Sequence, residues 1–163
     1  LYRIPSTGLR FFTVYGPWGR PDMAPMIFTK AILEKNPIKI FNKGNMQRDF
    51  TYIDDVVEGI YRCCKKPAII NKDEGDFSSE APFRILNIGN GKPIELMAFI
   101  KILEDTLEIK ANKEFLKMQK GDVENTFANA TELEKWIGYS PITSIETGVE
   151  NFCKWYLKYF KYR

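Results

Sequence analysis

The stretch Gly8-Leu-Arg-Phe-Phe-Thr-Val-Tyr-Gly-Pro-Trp-Gly-Arg-Pro-Asp-Met-Ala24 decides how the rest of the chain is read. Its first half, Gly8–Tyr15, is β-branched and aromatic, the composition of a buried strand. Its second half opens on Gly16-Pro17-Trp18-Gly19, whose glycines and proline mark a loop. A loop that leaves a strand end is where α/β proteins place ligand contacts, because the sheet holds its root while its tip stays open to solvent.

Working outward, Met26–Leu33 carries helical spacing, with Asp22 as the expected N-cap and Asn36-Pro37 as the stop. Pro37–Phe41 reads as a short strand and Asn42–Asn45 as a turn. The run Arg48-Asp-Phe-Thr-Tyr-Ile-Asp-Asp55 alternates as a strand that enters a helix from Val56 to about Lys65, capped by Asp54 or Asp55. Asn71–Pro82 is polar and reads as a surface loop. Arg84–Ile88 is a strand, and Ile94–Ile109 a long helix with Leu96, Phe99, Ile100, Leu103 and Leu107 on one face. Phe115–Met118 is expected to add a strand, Asn129–Ile137 a helix with an Asn129-x-x-Glu132 capping pattern, and Ser144–Phe160 the terminal helix. Strands alternating with helices give an α/β class, yet so few elements of uneven length do not complete a doubly wound sheet. The architecture reads as part of one.

The composition sets bounds. At 163 residues with 44% apolar content, the chain can bury one ordinary core. No apolar run approaches the roughly 20 residues of a membrane span, and no signal-peptide pattern is present, which points to a soluble, cytoplasmic protein without a membrane partner. The absence of histidine removes Ser-His-Asp and Cys-His chemistry. Cys63, Cys64 and Cys153 lack metal-ligand spacing and make an odd number, so packed thiols are expected and no metal. A net charge of +3 is too balanced to argue for nucleic acid. The tail Lys154–Arg163 interleaves Lys and Arg with Trp155, Tyr156, Tyr159, Phe160 and Tyr162, which could stack on bases; an amphipathic helix with a solvated basic face explains the same pattern.

The opening stretch closely resembles the corresponding part of bacterial UDP-glucuronate 4-epimerases, members of the extended short-chain dehydrogenase/reductase family. The likeness continues through Lys30-Ala-Ile-Leu33, Arg48-Asp-Phe-Thr-Tyr-Ile-Asp-Asp-Val-Val-Glu-Gly59, Asn87-Ile-Gly-Asn-Gly91, Gly121-Asp-Val123 and Gly138-Tyr-Ser-Pro-Ile-Thr143 to Trp155-Tyr156. It spans nearly the whole chain in the family's order. It implies a Rossmann-type fold with a small substrate-binding α/β domain, of which residues 1–163 would be the C-terminal portion. It also implies NAD as cofactor, a UDP-sugar as substrate and a homodimeric parent. The glycine-rich NAD motif and the catalytic Tyr-x-x-x-Lys helix of the family have no counterpart in place, so no catalytic residue is assigned, and Leu1 is expected to lie at an interior cut.

Two stretches mimic those parts. Tyr61-Arg-Cys-Cys-Lys65 has the Tyr-to-Lys spacing, but sits where relatives only pack. Ile88-Gly89-Asn-Gly91 joins a strand to a helix as a dinucleotide loop does, but Ile94 stands at the third glycine position, which favours a plain turn.

The resemblance assigns the remaining roles. Arg48 would hold the diphosphate or ribose side of UDP, through a planar, permanently charged donor fork. Phe41 would lie at the uracil, and Asp22 with the Met23 backbone near the phosphates. Gln119 and Asp122 would close over the ribose; galactose-type epimerases generally have arginine where Gln119 stands. Thr13 and Arg20 would hold the glucuronate carboxylate, and the backbone at Tyr15 would approach the nicotinamide. Lys120 and Asn129 depart from the residues relatives often carry. Each residue also has a plain reading: Arg48-Asp49 as a surface ion pair, Thr13 as a strand residue, Phe41 as core, Gly121-Asp122 as a turn. A galactose-type epimerase, a 4,6-dehydratase, a decarboxylase and a non-catalytic sugar-nucleotide-binding domain stay open as alternatives.

Overall fold

The computed structural model describes residues 2–70 and 81–162; the loop expected over Asn71–Pro82 falls almost wholly outside them. The run Gly8–Tyr15 is two strands, β1 (Ser6–Phe11) and β2 (Thr13–Tyr15). The Phe12 amide donates to the Ile88 carbonyl at 3.4 Å and the Thr13 amide to that of Asp49 at 3.2 Å. The chain therefore changes partners within one residue. β1 pairs in parallel with β6 (Phe83–Ile88), and β2 in parallel with β5 (Phe50–Tyr52).

The expected burial of this run holds at Tyr15 and fails along β1, where Phe11, and Phe83 and Ile85 of its partner, are exposed. A parallel pair is buried only when layers cover both of its faces. Here Leu86 and Ile88 turn toward Val56 and Cys63 of α2 (Ile53–Lys65) and Leu133 of α4 (Thr131–Ile137), and the other face is open among the described residues.

The helix starts also differ from expectation. The helix α1 (Ala24–Leu33) is capped at Met23 with no side-chain bond, and Asp22 pairs with Arg20 instead. Tyr52 occupies the cap of α2; Asp55 is buried in its first turn and accepts from the Tyr139 hydroxyl at 2.8 Å and the Thr143 amide at 3.0 Å. A buried carboxylate must find donors, and these two staple the 139–143 loop to α2. At α4, Asn129 Oδ1 accepts from the Thr131 amide, but the cap position is Ala130 and Glu132 pairs with Lys135. Ser144 does cap α5 (Ile145–Tyr159), accepting from the Thr147 amide.

The strand β3 (Pro37–Ile40) pairs in parallel with β8 (Asn112–Phe115), three residues earlier than the Phe115–Met118 expected, because the register sets Ile40 opposite Phe115. Phe41 leaves the strand into a 3-10 turn, Phe41–Gly44. The short strand β4 (Gln47–Arg48) runs antiparallel to β7 (Ile94–Glu95), which takes the first positions of the expected long helix; α3 is Leu96–Leu107 and ends at Glu108 in the left-handed region.

The main core lies between β2, β3, β5, α1, α3 and α5. Phe50 and Phe99 stack at 4.4 Å, Tyr15 meets both edge-on, and Phe152 and Tyr156 close the side formed by α5. Burying each such ring contributes about 1.5–3 kcal/mol. The aromatic tail follows the same logic: Tyr156 is buried, Trp155 stacks on Tyr159, and the Tyr162 hydroxyl reaches Glu34. These rings are engaged within the protein. The thiols of Cys63 and Cys153 are buried, while Cys64 is exposed.

Candidate functional site

The wall of the site is built from the first residue of β2, most of β3 and the end of β4, beside the start of α1. A cavity of about 680 Å³ is lined there by Thr13, Asp22, Met23, Phe41, Arg48, Gln119 and Asp122, with Phe28, Ile38, Met46, Phe50 and Leu96 supplying apolar surface. Seven sequence-selected residues thus meet around one space, the first and last of them, Thr13 and Asp122, far apart in the chain. Arg20 and Tyr15 do not line it.

Arg48 is the anchored cation of this cavity. Its side chain is 16% exposed. Nη1 donates to the carbonyls of Gln47 and Glu124, both at 3.0 Å, and Nη2 to Asp122 Oδ1 at 2.8 Å. A guanidinium has five N–H donors; three are used, which leaves two for a ligand. Asp122 is held in turn by its bond from the Val123 amide. The loop bearing it docks beside β4, with the Gln47 amide donating to Glu124 and the Thr126 amide to Gln47. The plain reading of Arg48-Asp49 as a surface ion pair is not met: Arg48 pairs with Asp122, and Asp49 is buried.

Asp49 turns into the protein and is fully buried. Its carboxylate accepts from the amides of Asn90 at 3.2 Å, Gly91 at 3.0 Å and Ala128 at 2.8 Å, and the Asn90 amide also reaches Thr51 Oγ1 at 3.0 Å. These bonds decide the Gly89–Gly91 stretch. The Asn90 and Gly91 amides, which a dinucleotide loop would aim at a pyrophosphate, are consumed by the protein's own carboxylate. This turn does not fit the phosphates of NAD. Sequence reasoning missed Asp49; its one signal was a charge set in an apolar alternating run.

The other mimic separates as cleanly. Lys65 Nζ lies 4.3 Å from the centroid of the Tyr61 ring on the outer face of α2, and neither residue lines the cavity. Tyr15 is a core residue: its phenol lies 3.5 Å from the Ile145 carbonyl, and burial raises its pKa well above the ordinary tyrosine range, followed by the charges of Tyr52, Asp55 and Glu146. Tyr15 also borders a second cavity, of about 420 Å³, with Phe11, Phe12, Gly16, Gly19 and Arg20. Met23 lines both cavities and stands between them.

At the start of α1 the Met23 amide donates to the Arg20 carbonyl at 3.2 Å, and Pro25 has no N–H. The unpaired donors left by the helix ladder there are those of Ala24 and Met26, an anion-favouring end in the wall that faces Arg48. No group of three or more potential metal ligands occurs, and no helix is long and apolar enough to cross a membrane, among the described residues.

Comparison with known proteins places this geometry in a lineage. The chain is 51% identical to Protein CapI of Staphylococcus aureus over 99% of its own length and 50% of that protein. It is 47% identical to a probable UDP-glucuronate 4-epimerase of Rhizobium meliloti, over 96% of this chain and 48% of that one. The crystal structure of UDP-glucuronic acid 4-epimerase from Bacillus cereus, in complex with UDP-glucuronic acid and NAD, superposes with a TM-score of 0.81 at 32% identity, covering 97% of this chain and 47% of that one. The chain spans about half the length of the curated relatives it matches. Residues 1–89 match the NAD dependent epimerase/dehydratase family, and with the α/β fold and the strand-end cavity described above, the chain belongs to that family.

Proposed function

We propose that this chain supplies the sugar-nucleotide-binding portion of an NAD-dependent UDP-sugar 4-epimerase that interconverts UDP-glucuronate and UDP-galacturonate. The observation that carries this reading is the gathering of Arg48, Asp122, Gln119, Phe41, Asp22, Met23 and Thr13 around one cavity. The two free donors of Arg48 and the start of α1 face the diphosphate, Phe41 packs on the uracil, and the Gln119–Asp122 turn covers the ribose. UDP seated there directs its sugar past Met23 toward the second cavity, where Arg20 stands. NAD would supply the hydride acceptor for inversion at C4. With the Gly89–Gly91 amides spent on Asp49, we place its pyrophosphate, and the acid/base pair, outside the described residues.

Calorimetric titration with UDP-glucuronate, UDP-galactose and UDP tests the reading. Binding of all three, strongest for UDP-glucuronate and weakened at least ten-fold, about 1.4 kcal/mol, in Arg48→Ala, is the expected result. A protein that binds no UDP ligand overturns it. The chain by itself is expected to show no epimerase turnover.

A further inference from the structure

Arg20 is not free in this structure. Its Nε donates to Asp22 Oδ1 at 3.1 Å and its Nη2 to Asp22 Oδ2 at 2.5 Å, a two-point pair between residues only two apart. Both side chains are largely exposed, so no burial forces the contact. The backbone beneath them is constrained: the Gly19 amide donates to Gly16, the Met23 amide to Arg20, and Trp18 sits at a φ of 62°. Trp18 is 72% exposed, yet its ring rests on Trp155 and Tyr159 of α5 at centroid distances of 5.5 and 4.8 Å. The loop is thus pinned from behind, and the guanidinium can exchange partners by side-chain rotation alone. Asp22 belongs to the larger cavity and Arg20 to the smaller, so the pair bridges the rim between them.

We propose that Asp22 is a specificity-determining residue: its carboxylate occupies Arg20 as an internal stand-in, and a ligand carboxylate must take its place. The inference rests on the functional reading above and deepens it. A neutral sugar leaves the Arg20–Asp22 pair intact and gains nothing from Arg20. A uronate sugar exchanges one carboxylate for another on the same two-point fork, so its gain is reduced by whatever the internal pair was worth. Exposed pairs are weak, and the reduction is up to about five-fold in affinity.

Calorimetry on the full-length gene product decides the matter, using UDP-glucuronate, UDP-galactose and UDP against Asp22→Asn, Arg20→Ala and the double variant. Asp22→Asn should raise the affinity ratio of UDP-glucuronate to UDP and to UDP-galactose by up to about five-fold, a readout that cancels any effect of Asp22 on the UDP part the three ligands share. In the Arg20→Ala background the same change should leave that ratio unaltered. An unchanged or lower ratio against UDP, an unchanged or lower ratio against UDP-galactose, or a rise that persists without Arg20 overturns the proposal. UDP binding by every variant is the folding control. Failure of the unaltered protein to bind UDP overturns the functional reading and this inference together, whereas UDP binding with any of the three contrary outcomes overturns this inference alone.

Discussion

Replacing Asp49 should disturb this protein more than any surface charge. Its fully buried carboxylate accepts three backbone amides, from Asn90, Gly91 and Ala128. In Asp49→Ala all three lose an acceptor. The Asn90 amide keeps Thr51 Oγ1, so two are orphaned. Leaving a buried donor unsatisfied costs about 1–3 kcal/mol each. The cavity adds to this, and relief from burying a charge subtracts, for a loss of about 3–5 kcal/mol. Asp49→Asn keeps the shape, and its best rotamer sets the amide nitrogen at the Oδ1 position, against Asn90. Two bonds then weaken from charged to neutral and one is lost, a cost of about 2–4 kcal/mol. Urea denaturation followed by circular dichroism, with the slope checked for constancy, measures both. An Asp49→Asn variant within about 0.5 kcal/mol of the parent would refute the reasoning, because that is the scatter of a surface substitution.

Other consequences follow from single contacts. A Cβ on Gly148 would stand 1.9 Å from the Tyr15 hydroxyl, so Gly148→Ala should cost about 1–3 kcal/mol and lower the melting temperature, and adding Tyr15→Phe should recover part of it. Glu104 on α3 is buried, which alone would raise its pKa, but the hydrogen bonds from Lys113 and the Ala111 amide and the charge of Lys110 bring it below the ordinary range. A depressed carboxylate stabilises the fold above its unfolded pKa of about 4.3 and loses that contribution as pH falls through the lower folded value. Stability should therefore drop on acidification below that point, and Glu104→Gln should flatten the drop in denaturation curves taken across it. Burial pushes the Cys153 thiol up to about 12, so mass spectrometry after brief thiol labelling at pH 8 should find the exposed Cys64 modified first. The edge and face of β1 left open among the described residues should make the isolated chain self-associate, and a monodisperse monomer in light scattering would count against this.

Much was legible in the sequence because it was local. The helical period of Leu96, Phe99, Ile100 and Leu103 announced α3, and Ser144 announced the start of α5. Side-chain partners decided the caps that were misread: Asp22 had Arg20 beside it, and Asp55 had Tyr139 waiting 84 residues away. A capping preference of about 1 kcal/mol yields to a paired or buried carboxylate. The residues that line the cavity were singled out by the family resemblance carried in blocks of sequence order, not by any one residue's type.

By itself, then, the sequence determined the α/β class, the helix periods, the loop after the first strands and the set of residues worth testing. Only the tertiary structure decided which of them meet. It put seven around one cavity and left Arg20 at its rim, turned Asp49 inward while its neighbour Arg48 faced outward, and spent the Gly89–Gly91 amides on that carboxylate. The physical reason is that periodicity and propensity report each residue's own backbone, whereas hydrogen-bond satisfaction and cavity walls depend on pairs of residues that the fold alone brings together.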